Sequence, residues 1–459
     1  MSFPTDFFWG ASSSAYQIEG ASREDGKGAS VQDVKVVPEG TPDFSVCSDH
    51  YHHVVEDVAL FAELGLKSYR FSIAWTRIIP EGTGAVNPQG IAFYNSLLDE
   101  LEKYGIEPIV TIYHFDLPAA LQEKGGWANR ETIDAFVEFA RTCFREFGDR
   151  ITWWQTINEQ NMMTLVPQHV IGEDGDLSTY PLYQANHHMF VAQSAAMAAC
   201  HEILPEAKIG PAPNISLAYA NTNDPKDVLA AQYQNAVRNW IYLDAAVFGR
   251  YNTLAKDYIL HAGYQLDITD EELEVMRSGK PDFIAFNYYN SENVAYVEGE
   301  TLVDENGAIH GPGSIVDNSH LLKTEFSGWP IDPMGFRSTM QEIHSRYDLP
   351  LIVTENGLGG RDEVVEVDGV KTVEDDYRIE YLSTHIAQMR DAVDAGVPVL
   401  GYHPWSVMDL ISTHEGFLKR YGFIYVNRDN ESEKDLARYK KKSFAWYRKV
   451  IDSNGEVLA

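Results

Sequence analysis

Ile151-Thr152-Trp153-Trp154-Gln155-Thr156-Ile157-Asn158-Glu159-Gln160 is an apolar, β-branched and aromatic run that ends on a carboxylate. Leu349-Pro350-Leu351-Ile352-Val353-Thr354-Glu355-Asn356-Gly357 repeats that pattern late in the chain. Each reads as a buried strand giving way to a loop. Runs of the same kind at 7–11, 68–73, 107–114, 208–212, 282–289 and 399–405 join 151–158 and 350–355 as strand candidates. Amphipathic segments lie between them. In the clearest, Ile133, Phe136, Val137, Ala140, Phe144 and Phe147 recur at three- and four-residue steps; others span 48–64, 89–104, 184–203, 332–346 and 377–395. Strand and helix in alternation predict a parallel sheet, and eight cycles predict closure into an α/β (β/α)8 TIM barrel. The carboxyl ends of barrel strands form the active face, which would bring Glu159 and Glu355 to one pocket. Two carboxyl groups across a pocket are what glycosidic bond cleavage needs. On spacing alone, two unrelated acidic residues are an equal reading, because the chain carries 68 Asp and Glu.

The 459 residues show no internal repeat and no low-complexity linker, which predicts a single domain over 1–459. Hydrophobic residues at 44% and aromatics at 12% exclude a disordered or fibrous chain. A formal charge of −32 disfavours nucleic acid and anionic membrane as partners, and an anionic substrate would need a local basic pocket. Met1-Ser2-Phe3-Pro4-Thr5-Asp6 has no basic patch followed by an apolar core, and no run approaches a membrane span, so a cytoplasmic location is expected. Cys47, Cys143 and Cys200 are odd in number and form no metal-type pair, as expected of buried thiols in a reducing compartment. His50, His52, His53, His187 and His188 fall in helical stretches without a zinc pattern, and no nucleotide motif is visible. No metal or organic cofactor is expected. The segment 298–327 reads as a long loop on the active face, and 427–442 as a charged hairpin whose Lys440-Lys441-Lys442 run is a solvated helix start. The sequence sets no oligomeric state and leaves a homo-oligomer open.

Several further stretches carry a resemblance. Phe8-Trp9-Gly10, Tyr16-Gln17-Ile18-Glu19-Gly20, Tyr69-Arg70-Phe71-Ser72-Ile73-Ala74-Trp75-Thr76-Arg77, Tyr113-His114-Phe115-Asp116-Leu117-Pro118, Asn287-Tyr288-Tyr289 and Arg420-Tyr421-Gly422-Phe423-Ile424-Tyr425-Val426 appear in order with the two glutamate stretches. Together they resemble glycoside hydrolase family 1 over nearly the whole chain. The resemblance implies that Glu159 is the acid/base and Glu355 the nucleophile of a retaining hydrolase. Arg70 and Tyr289 would contact the nucleophile; a purely structural ion pair is the other reading of Arg70. Gln17, His114, Asn158 and Trp405 would hold the sugar through its hydroxyls and one apolar face. Gln160 stands where the family often has proline.

One departure bears on the substrate. In Trp405 through Tyr421, Ser412 replaces the glutamate that relatives acting on plain glucosides use to grip the outer hydroxyls, and Thr413 replaces their tryptophan. Ser412, Lys419 and Tyr421 instead resemble the phosphate pocket of the family's 6-phospho-β-glycosidases. A hydroxyl, an ammonium and a phenol suit a phosphate, which a glutamate would repel. The resemblance also implies gluco over galacto, since its 6-phosphogalactoside-specific members tend to hold a bulky tryptophan where Thr413 stands. The expected substrate is therefore a small phosphorylated β-glycoside, a 6-phospho-β-glucoside. A 6-phospho-β-galactosidase, a plain β-glucosidase with Lys419 incidental on a surface loop, and a catalytically dead sugar-binding relative are the alternatives; the last usually lacks one of the glutamates kept here.

Overall fold

Eight parallel strands build the barrel in the computed structural model, which describes residues 3–172, 180–298 and 312–458. They are β1 (Phe8–Ser12), β2 (Ser68–Ser72), β3 (Glu107–Tyr113), β4 (Trp153–Asn158), β5 (Lys208–Ala212), β6 (Ile284–Asn287), β7 (Leu351–Glu355) and β8 (Val399–Tyr402). All eight coincide with the runs expected from sequence. The sixth and eighth are shorter; past β8 Trp405 still bridges Ser12, and Tyr289 and Trp405 both line the pocket. Hydrogen bonding runs in the order β5-β4-β3-β2-β1-β8-β7-β6. Backbone bonds from Asp282 to Ile209 (2.9 Å) and from Asn287 to Pro213 (3.0 Å) close the circle.

The interior is layered. At the amino-terminal end Phe8, Trp153 and Phe283 meet edge to face, with ring centroids 5.3 and 5.4 Å apart. Above them the filling turns polar: Ser68 bonds His403 at 2.7 Å, and Arg70 Nε donates to Thr111 Oγ1 at 2.8 Å and Gln155 Oε1 at 3.2 Å. Most of these buried polar groups satisfy one another, though Gln155 Nε2 has no partner.

Helices sheath the barrel as the periodicity predicts. Pro88–Lys103 begins where Asn87 caps the Gln89 amide, with proline at the first position. Glu131–Phe147 buries Phe136, Phe139, Ala140, Cys143, Phe144 and Phe147 and packs on Leu182–Ile203, which is buried nearly all round. Cys47, Cys143 and Cys200 are all free and buried. His50 bonds Asp57 at 2.8 Å, and His187 lies 3.3 Å from Glu272. No helix among the described residues is long and apolar enough to cross a membrane.

Between β5 and β6 the chain holds several helices that the sequence pattern does not mark. There the chain forms Pro225–Asn235, a π-helical turn Ala236–Trp240, Ile241–Phe248, Thr253–His261 and Asp270–Ser278. These are short: Ile241–Phe248 is apolar almost all round, and the capped, amphipathic Asp270–Ser278 spans only nine residues. Strands Ala218–Ala220, Glu292–Tyr296 and Gly313–Ile315 form a small sheet beyond the barrel. Of the expected loop 298–327, residues 299–311 lie outside the described part, and Gly313–Ile315 is a strand.

The carboxy-terminal hairpin is present, with Ile424–Val426 antiparallel to Arg438–Lys440. The lysine run after it is not uniformly solvated. Lys440 pairs with Glu63, and Lys442 with Glu374 and Asp376, at the surface. Lys441 is buried between Asp362 and Asp409, 2.5 Å from each. It occupies the junction where the strand ends and the helix Lys442–Asp452 begins, which turns this one side chain inward.

Candidate active site

Glu355 ends β7 and is 4% exposed. Arg70 Nη1 donates to its Oε1 at 2.6 Å and the Tyr289 hydroxyl to its Oε2 at 2.7 Å. Arg70 itself is fully buried inside the barrel, so its second arm also needs an acceptor; Nη2 donates to Asn158 Oδ1 at 2.6 Å. Glu159 follows β4 directly and has φ +42°, a left-handed backbone rare outside glycine. The strand pairings slip in register between Gln155 and Asn158 and between Val353 and Glu355. Such irregularities re-aim side chains next to active sites, and here each immediately precedes or includes one of the two glutamates.

Asn214 and Asn287 both donate to Glu159 Oε1, at 2.9 and 3.0 Å, and Asn287 also donates to Asn158 Oδ1 at 3.1 Å. Glu355, Arg70, Asn158, Asn287 and Glu159 therefore form one continuous hydrogen-bonded chain. Burial and the Glu159 charge push Glu355 up to about 7, against the opposing pull of Arg70 and Tyr289. Burial, then the two glutamate charges, hold the Tyr289 phenol far above its usual range, so it acts as a donor. Burial and the Arg70 charge hold His114 well below the usual histidine range. Its neutral ring lies 3.1 Å from Asn158 Nδ2 and stacks on Trp405, centroids 5.9 Å apart.

A cavity of about 470 Å³ opens over both glutamates. Gln17, His114, Asn158, Tyr289, Trp405, Ser412, Thr413, Lys419 and Tyr421 line it with them, and Arg70 stands behind Glu355. Gln17 is fixed by Ser14 at 2.7 Å and by the Ile411 carbonyl at 2.8 Å. The structure thus gathers every residue singled out from the sequence around one space. Such a site can protonate a leaving group, attack an adjacent carbon and present amide and imidazole groups to hydroxyls.

At one end of the cavity Lys419 is 5% exposed. Its ammonium has Ser327 Oγ at 3.4 Å and sits over the rings of Trp329, Tyr421 and Phe326 at 4.9, 5.4 and 5.7 Å. Among the described residues no carboxylate lies within ion-pairing distance of it. Burial lowers its proton affinity, while Glu415 raises it from farther away. Ser412 donates to that same Glu415 at 2.9 Å. Thr413 lines the cavity beside Tyr16.

The family model for glycosyl hydrolase family 1 matches residues 1–456. The chain belongs to glycosyl hydrolase family 1. Among its relatives are an aryl-phospho-β-D-glucosidase, BglC of Bacillus subtilis (strain 168), 43% identical over all of this chain and 98% of the relative. A phospho-cellobiase of Klebsiella oxytoca is 42% identical and a 6-phospho-β-glucosidase of Dickeya chrysanthemi 41%, each over 99% of both chains. A solved family 1 β-glucosidase from Thermotoga maritima superposes with a TM-score of 0.88 at 34% identity, covering 99% of each chain.

Several groups in this family 1 site escape a sequence reading. Asn214 stands just past β5, where the strand-end rule points, but a lone asparagine carries no chemistry-specific signal. Arg238 comes from the π-helical turn and holds Asn214 through Oδ1 at 2.7 Å and the carbonyl at 3.0 Å. Glu415, Ser327 and Trp329 reach the site from loops whose course no local pattern fixes.

Proposed function

We propose that this chain is a retaining 6-phospho-β-glucosidase that acts as one catalytic unit in the cytoplasm. Lys419 carries the reading. A buried ammonium held by aromatic faces and one hydroxyl, in a protein of charge −32, lacks the anion that would offset its desolvation. A dianionic phosphate supplies it. Ser412 and Tyr421 add donors around the same space, and relatives that bear phospho-glucosidase names span the whole chain.

In the proposed reaction Trp405, Gln17, His114 and Asn158 seat the glucose ring and Lys419, Ser412 and Tyr421 its 6-phosphate. The Glu355 carboxylate attacks the anomeric carbon as the glycosidic C–O bond breaks, and Glu159 gives its proton to the departing oxygen. Arg70 and Tyr289 keep Glu355 charged and aimed until the ester forms. Water then attacks the same carbon, Glu159 accepts its proton, and Glu355 leaves as carboxylate. Glucose 6-phosphate is released first as the β anomer. The small Thr413 leaves room consistent with gluco stereochemistry.

The deciding measurement is the ratio of kcat/KM for 4-nitrophenyl β-D-glucoside 6-phosphate to that for the unphosphorylated compound. A large ratio is expected; a ratio near one overturns the phosphate assignment. A second reading, a plain β-glucosidase, draws on Glu415, whose carboxylate at Ser412 could accept bonds from a free sugar hydroxyl. The same ratio separates the two.

A further inference from the structure

The two strand-end loops that meet at the phosphate end of the cavity touch through a glycine. Gly359 lies on the loop after β7, four residues beyond Glu355, and is buried. A methyl group there would stand 2.6 Å from Lys419 Cγ, 2.8 Å from Lys419 Cε and 2.9 Å from Tyr421 Cζ. All three distances are well inside contact. The backbone at Gly359 is not left-handed, so a side chain is disfavoured there by this collision and not by conformational strain.

The loop has little freedom to withdraw. On one side Gly360 exchanges two backbone bonds with Arg420, 3.0 and 2.9 Å long. On the other the Leu358 carbonyl accepts from the buried Arg378 at 2.9 Å, and Arg378 also binds the carbonyls of Arg420 and Tyr421. One guanidinium therefore ties both loops together around Gly359. With the backbone pinned on both sides, an added methyl has to be accommodated by the side chains it meets. Lys419 is the flexible one, and its stem would be pushed from its place over Trp329.

We infer that Gly359 is a positioning residue for the phosphorylated substrate: its missing side chain is the slot in which the Lys419 stem lies, and it sets where the ammonium stands. The inference rests on the phosphate reading above. It assigns substrate choice to a residue on the nucleophile's own loop that touches neither glutamate nor sugar.

The test is the ratio of kcat/KM for 4-nitrophenyl β-D-glucoside 6-phosphate to that for the plain glucoside, in wild type, Gly359→Ala, Lys419→Ala and the double variant. The ratio is independent of the fraction of enzyme that is folded, so partial misfolding of a variant does not blur it. Gly359→Ala is expected to lower it roughly tenfold, mainly through KM for the phosphorylated compound. In the Lys419→Ala background, where the stem is gone and the methyl meets only the edge of the Tyr421 ring, the same change is expected to lower it less than twofold, a non-additivity that marks action through Lys419. A ratio in Gly359→Ala within about twofold of wild type, or an equal loss in both backgrounds, overturns the inference while leaving the phosphate reading intact. A wild-type ratio near one overturns both.

Discussion

Glu355 works under opposed influences. Burial and Glu159 favour its neutral form and set it near 7, while Arg70 and Tyr289 favour the charged form that attacks. Because the carboxylate is the reactive species and is lost as pH falls through that value, kcat/KM should decline below about pH 7. The limiting slope is about one decade per pH unit. Arg70→Met removes the largest influence holding the charge, so the acidic limb should move to higher pH; a pH–rate profile of the two proteins checks it. Glu355→Gln should abolish turnover, since an amide forms no glycosyl ester, as a single-turnover assay would show. At the phosphate end, Lys419→Ala should cost on the order of ten- to a hundredfold in kcat/KM for the phosphorylated substrate, the worth of a charge-assisted contact. Glu415→Gln should lower KM for that substrate, because it takes a repelling charge from beside Ser412. If Glu415→Gln instead impairs the plain glucoside alone, Glu415 is a sugar ligand. At this scale the sequence exposes residues that sit in contiguous strand-end motifs, such as Asn158 with Glu159 and Thr354 with Glu355. It hides Glu415 and Trp329, whose meaning depends on where a loop folds back.

The elements were readable to the degree that apolar strand runs and amphipathic helix stretches stand apart from each other. Barrel strands are bounded by turns and rich in β-branched residues, so their ends fall within a few residues of expectation. Of the helices between β5 and β6, Pro225–Asn235 and Ile241–Phe248 carry little periodicity and Asp270–Ser278 is amphipathic but only nine residues long, yet one of their turns sends Arg238 to the acid/base neighbourhood. Arg238 pairs with Glu292 at 3.2 Å and clamps Asn214, which in turn bonds Glu159. Arg238→Met should therefore loosen Glu159 without touching Glu355. The expected outcome is a five- to tenfold fall in kcat for substrates with poor leaving groups, roughly 1 kcal/mol of transition-state stabilisation, and little change for nitrophenyl compounds. A leaving-group series measures it; an equal fall across the series would place Arg238 in general scaffolding.

Across the whole molecule, the charge of −32 opposes the approach of a dianion that the buried Lys419 then welcomes. Long-range repulsion is screened beyond about 8–10 Å at physiological ionic strength, whereas a buried contact is screened much less. Raising salt from a few millimolar should thus increase kcat/KM for the phosphorylated substrate and leave the plain glucoside nearly unaffected, which steady-state assays across a salt series would reveal. The burial of all three cysteines has a practical side. Burial pushes the Cys200 thiol up to about 12 and raises the other two as well, so none is poised to meet an alkylating reagent. A cysteine placed at Ile315, which lines the cavity mouth and is 52% exposed, would be the chain's single reactive handle. The native protein is in effect already a cysteine-light background, ready to carry a fluorescent or spin label at its own doorway.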